Sequence, residues 1–254
     1  MISNFNSFVT PTSTTTAKLY FHQGWTDIIN CLPLINYYSK NYGKLDIIAR
    51  EDSKDLVDFY LRQFNNVNAL YMDKKNLDSN FNLPVNENDS LLFFGVHDRF
   101  RKDGKQNSFS NHSGFFVEGF YTPYGIPYME RVNSFGILRD GSLENETYER
   151  IIGDYTGEYI VVHEDSERGL SIVPDEKDVK IIKLNGASDI FFDYIKILEN
   201  AKSIHLIDSV WAAICYLIDS RYGILKDVGV SVHCLRGYEK MFLEPKKLSN
   251  WKIN

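Results

Sequence analysis

Apolar and polar positions along the chain follow two rhythms. Residues 18–21, 45–49, 67–72 and 91–94 are short, nearly continuous apolar runs, the pattern of strands buried on both faces. Between the first two, Ile28, Leu32, Ile35 and Tyr38 recur at helical spacing over 28–42, and 52–64 has an amphipathic helical pattern. Pro33 falls inside the first of these helices and removes one backbone donor. Strands alternating with helices in this way predict a doubly wound parallel sheet.

The same alternation returns later. Strands are expected at 159–163, 179–184, 203–207 and 228–233, the last closing the block. Helices are expected at 142–152 with Ser142 as N-cap, at 188–201 with Ser188 or Asp189 as cap, and at 210–220. The chain therefore reads as α/β, with two Rossmann-like halves at 1–150 and 151–254. The tail, 239–254, is expected to pack back on the first half, and the Thr/Ser-rich leader to be poorly ordered. In the long stretch 97–140, the aromatic run 120–128 reads either as the wall of a pocket or as packing between the halves.

Composition narrows the partners. A 254-residue chain with 43% hydrophobic residues can build a sizeable core. The formal net charge of −6 and the lack of a basic stripe argue against nucleic acid. Arg99, Arg101, Lys102 and Lys105 form one short basic cluster, read as a solvated loop. Three cysteines make no disulfide framework, and Cys31 and Cys215 sit in apolar helical patterns, which fits a reducing compartment. No secretion signal and no run of about 18 apolar residues is present, so a cytoplasmic location is expected.

Three stretches could carry chemistry, because ligands of open α/β sheets collect at the carboxyl ends of strands, beside helix N-termini. After the first strand stand His22, Gly24 and Asp27. Gly24 would allow close approach of a ligand and Asp27 would supply a carboxylate, a plain helix cap at Thr26 or Asp27 being the competing reading. After 159–163 come His163 and Arg168, which could neutralise a diphosphate or form a polar surface turn. After 203–207 come Asp208 and Ser209, where a sugar hydroxyl and a phosphate could bind, or where an ordinary N-cap could sit. His205 alternates with apolar neighbours and could be a satisfied core histidine. There is no GxGxxG, Walker A loop, GxSxG, CxxC, HExxH or DxD, so no metal site and no resident cofactor is expected.

Together these places resemble a GT-B glycosyltransferase, in particular the heptosyltransferase-like glycosyltransferase family 9. From Asp27 onward, Ile29, Leu32, Pro33 and Ile35 fall in step with that family's opening turn and helix, and Ile207-Asp208-Ser209 is similar to its late Asp-Thr turn. Gly24 lies two residues further from Asp27 than in the family, and the family's Gly and His after the Asp-Thr pair are missing. The resemblance implies two halves facing a central cleft, with an acceptor-binding N-terminal half and a nucleotide-sugar-binding C-terminal half. It implies an inverting, metal-independent transfer from a nucleotide-sugar donor to a glycan acceptor, with Asp27 or His22 as catalytic base. Gly24, His163, Arg168, Asp208 and Ser209 would line the donor side. Asp27 at a helix N-terminus is expected to be ionised at neutral pH. The alternatives are a GT-B-like module that binds nucleotide or glycan without turnover, and a nucleotide-sugar-modifying enzyme such as an epimerase.

Overall fold

The computed structural model describes residues 16–21, 24–73, 90–94, 116–122, 125–184, 191–236 and 248–254. β1 (Thr16–Phe21), β2 (Lys44–Arg50), β3 (Val67–Met72) and β4 (Ser90–Phe94) form a four-stranded sheet in the order β3-β2-β1-β4, every pairing parallel. Leu19 stands beside Ile47 in register, and Ile47 beside Ala69. β1 and β2 are buried along most of their length, as expected for a sheet covered on both faces.

The second sheet contains β5 (Tyr159–His163), β6 (Lys180–Lys183), β7 (Ser203–Ile207), β8 (Gly229–His233) and β9 (Trp251–Ile253). Its order is β6-β5-β7-β8-β9, again all parallel. β9 corrects the expected ending: β8 is not the last strand, and residues 251–253 extend the second sheet instead of packing on the first half. Side chains explain the choice. Trp251 meets Tyr216 edge-on at 6.1 Å and donates from Nε1 to Asp219 Oδ2 at 2.8 Å. Asn250 Nδ2 donates to the carbonyls of Leu225 and Val228.

The helices are α1 (Trp25–Ser39), α2 (Lys54–Leu61), α3 (Glu130–Asn133), α4 (Gly141–Ile151), α5 (Ile195–Glu199) and α6 (Val210–Tyr222). The cap of α4 is Asp140, not Ser142; its carboxylate accepts from the amides of Ser142 and Leu143, each at 3.2 Å. The helix expected over 188–201 shortens to a 3₁₀ turn, Phe191–Tyr194, followed by the brief α5. Both expected caps, Ser188 and Asp189, lie outside the described residues.

A continuous cluster of buried side chains runs from β1 and β2 through α1 and α6 to β5, β7 and β8. The turn Phe191–Tyr194 contributes to the join. Phe192 stacks on Phe59 at 5.8 Å and tilts against Phe135 at 6.3 Å. The Tyr222 hydroxyl donates to the carbonyl of Phe135 and accepts from the amide of Ile137. Arg139 pairs with both Glu144 and Glu199, tying α4 to α5. Phe120, Tyr121 and Ile126 are buried in this core, so the packing reading fits those three; Pro123 and Tyr124 lie outside the described residues. Among the described residues no helix is long and apolar enough to cross a membrane.

Candidate functional site

The strand orders mark where ligands should gather. In the first sheet β2 and β3 step away on one side of β1 and β4 on the other, so the direction of winding reverses between β1 and β4. In the second sheet it reverses between β5 and β7. Crevices at such reversals, outside the carboxyl ends of the strands, are the usual ligand sites of these folds. Gly24 and Asp27 follow β1, His163 ends β5, and Asp208 and Ser209 follow β7. Each of these candidates sits at a switch point. His22 lies outside the described residues.

Gly24 is the N-cap of α1, so neither Thr26 nor Asp27 holds that position. Its φ of −73° suits any residue, and a Cβ there would meet no atom within 4 Å. The fold therefore does not require glycine at 24. Asp27, in the first turn, accepts a hydrogen bond from the Gly24 amide. The expectation that it is ionised is corrected. Burial outweighs the amide and the helix dipole and raises its pKa from 3.8 to about 7. Near neutral pH its carboxyl is divided between both forms, the state suited to a general base. One turn on, burial and the Asp27 charge push the Cys31 thiol well above its usual range.

On the other side, Ser209 is the N-cap of α6 by position, with no side-chain capping bond. Its hydroxyl is within 3.0 Å of His163 Nδ1, across the β5/β7 switch point. The ordinary-cap reading therefore fails for Ser209, and the first amides of α6 are not capped by it. Burial is the main reason that His163 falls from 6.5 to about 4, so the imidazole is neutral at pH 7 and cannot itself neutralise phosphate. Asp208 is buried, and its Oδ1 accepts from the amide of Arg236 at 2.9 Å. Arg168 sits in a tight 3₁₀ turn, Ser166–Arg168, closed by Gly169 at φ 69°. Its side chain is 61% exposed and pairs with Asp165, the geometry of the surface-turn reading.

Sequence reasoning passed over Arg236. Its charge contributes to the lowered pKa of His163, and its amide is held by Asp208, so it belongs to the β5/β7 end of the sheet. An Arg-Gly pair soon after β8 was the available signal. A second group, of which the sequence singles out only His205, lies at β7 and β8: His205 faces His233 at 3.4 Å and Glu176 at 3.1 Å, with Ser203 bonded to Glu176. These contacts satisfy His205, in line with its reading as a core histidine. Among the described residues no group of three or more His, Cys, Asp or Glu side chains could hold a metal ion.

Aromatic side chains join the two switch points. Trp25, the first residue of α1, meets Phe191 at 5.6 Å; Phe191 meets Trp211 at 4.9 Å; Trp211 lies 6.3 Å from His163. The Asp27 turn and the His163–Ser209 pair are thus linked through one run of contacting rings.

No protein-family model matches the chain, and no curated protein sequence matches it. Solved structures do. A glycosyl transferase family 9 protein from Veillonella parvula aligns over 97% of this chain and 88% of its own, with a TM-score of 0.51 and 9% identity. The iron-containing dodecameric glycosyltransferase TibC from enterotoxigenic E. coli aligns over 88% of this chain and 59% of its own, with a TM-score of 0.50 and 10% identity. The resemblance to glycosyltransferase family 9 read from the sequence is thus met in the fold, a mixed α/β chain built on parallel sheets.

Proposed function

We propose that the protein is a glycosyltransferase of GT-B type, with the two sheets presenting their carboxyl ends to a shared cleft. In this reading the second half binds a nucleotide-sugar at the β5/β7 switch point. The diphosphate lies against the first amides of α6, where a helix N-terminus favours anions. Ser209 and neutral His163 offer hydrogen bonds, while Asp208 holds the loop that carries Arg236. Arg236 supplies the positive charge; Arg168 would first have to leave Asp165 to do so.

The first half presents a glycan hydroxyl to Asp27. As the hydroxyl oxygen attacks the anomeric carbon from the face opposite the leaving group, its proton passes to the Asp27 carboxylate. The bond to the nucleoside diphosphate breaks, and the configuration inverts. No metal takes part in this scheme. One observation carries it: a carboxyl with a pKa of about 7 stands at one switch point, joined by contacting rings to a polar helix N-terminus at the other.

Thermal shift against nucleoside diphosphates and their sugars tests the donor side. A ligand at 100 times its Kd should add about 2.7 kcal/mol of stability. Release of nucleoside diphosphate then separates an enzyme from a binding module. Saturable binding without any sugar release or transfer would overturn the enzymatic reading.

A further inference from the structure

Asn30 is wholly buried, one turn beyond Asp27's neighbour Thr26, and its polar groups are directed to partners on three elements. Its Nδ2 donates to the carbonyl of Thr26 at 2.7 Å, the peptide group that leads into Asp27. Its Oδ1 accepts from Arg131 Nε at 2.8 Å, across 101 residues of sequence. Its backbone carbonyl accepts from the hydroxyl of Tyr121. Pro33 lies in the same stretch of α1. A proline inside α1 has no N–H for the carbonyl of Ile29 and crowds the preceding turn, so the ladder beneath Asp27 is weakened there.

Arg131 is also wholly buried, an expensive place for a guanidinium. Besides Asn30 it reaches the Tyr128 hydroxyl at 3.2 Å and stands 4.8 Å from the ring centre of Tyr216, on α6. One side chain therefore touches both the helix that carries Asp27 and the helix whose N-terminus faces His163.

We infer that Arg131, acting through Asn30 and supported by Tyr121, is a positioning residue that locks the first turn of α1 and so sets where the Asp27 carboxylate stands relative to α6. The inference rests on the role proposed for Asp27 and names the groups that hold it there. The network supplies no atom to the reaction.

The test follows the Asp27 carboxyl by carbon-13 NMR across pH in the wild type, Tyr121→Phe and Arg131→Lys, with kcat and donor KM measured in parallel. Tyr121→Phe removes one hydroxyl and keeps the ring. It should lower kcat about three- to tenfold, as loss of one buried hydrogen bond would, and leave donor KM unchanged. The Asp27 titration should move from about 7 toward the ordinary carboxylate range as water reaches a loosened turn. Arg131→Lys should produce a larger change in the same direction; if it fails to fold, Tyr121→Phe decides alone. An unchanged titration in Tyr121→Phe, with only a lower Tm, would overturn the inference. The NMR readout needs no turnover, so it decides the network's role even if Asp27→Asn proves active and the catalytic reading falls.

Discussion

Asp27 and Asp208 arise from the same local grammar, a parallel strand followed by a carboxylate and a helix, yet the fold treats them in opposite ways. Asp208 is buried and gives an oxygen to the amide of Arg236, so its work is to hold the segment after β8. Asp27 is half-buried, with the Gly24 amide against it and a pKa of about 7. Both carboxylates accept from a backbone amide, but the Gly24 amide belongs to Asp27's own turn, whereas the Arg236 amide lies 28 residues from Asp208, and a carboxylate that ties down a distant segment is structural. One left with its charge poorly compensated at a strand end is available for proton transfer. The difference depends on what the rest of the chain delivers to each turn, and the motif alone does not contain it.

The sharpest way to break this comparison is to make the same change at both places. Asp27→Asn should lower kcat about 100- to 10,000-fold, the usual effect of losing a general base, while Asp208→Asn keeps an acceptor for the Arg236 amide and should change kcat far less. The same Asp27→Asn change should stabilise the fold at high pH. A carboxyl whose folded pKa lies above its unfolded value favours folding at low pH and loses that contribution as pH rises from about 4 through about 7. The variant should gain about 1–2 kcal/mol at pH 8, after allowance for solvent screening of a half-buried group, and little at pH 4. Denaturant melts at the two pH values check this.

The two arginines sharpen the donor side. Calorimetry with a nucleoside diphosphate should show Arg236→Ala weakening binding by about tenfold or more, the loss of a charge-assisted hydrogen bond. Arg168→Ala should stay within the 0–1 kcal/mol typical of an exposed ion pair. His163 gives a smaller signal, in stability. Its folded pKa of about 4 lies below the unfolded 6.5, so the unfolded state binds the extra proton and stability falls as pH drops through that window. His163→Gln should flatten this part of the curve. The smallest expected change in stability is that of Gly24→Ala, within about 0.5 kcal/mol, because the backbone and the surrounding space accept a methyl group. A raised KM in a variant of unchanged Tm would mark Gly24 as a place where ligand approaches the backbone.

Much of the fold was legible because buried parallel strands read as short runs rich in apolar residues: 159–163 and 203–207 coincide with β5 and β7. β9 was not, since three residues with one half-buried Trp carry no strand rhythm and are held by contacts from Asp219 and Leu225. The helix over 188–201 was overdrawn because Phe191 and Phe192 fit a helical stripe but pack inward from a 3₁₀ turn. Of the candidate site, the strand ends were readable from position alone. The Ser209–His163 bond, the Asp208–Arg236 bond and the Arg131–Asn30 bond span 46, 28 and 101 residues, and no local pattern announces contacts of that separation. The charge state of Asp27 was misjudged for a similar reason: the helix dipole is local, while the burial that outweighs it comes from the whole fold.

Asp27 is proposed to take the acceptor proton in a sugar transfer. This role is tested most directly by release of nucleoside diphosphate from a panel of nucleotide-sugars, with and without glycan acceptors, by the wild type and Asp27→Asn across pH. The wild type should show acceptor-dependent release that rises with pH through an inflection near 7. The variant should retain donor binding and show almost no turnover. Turnover by Asp27→Asn at the wild-type rate, with the same inflection, would contradict it.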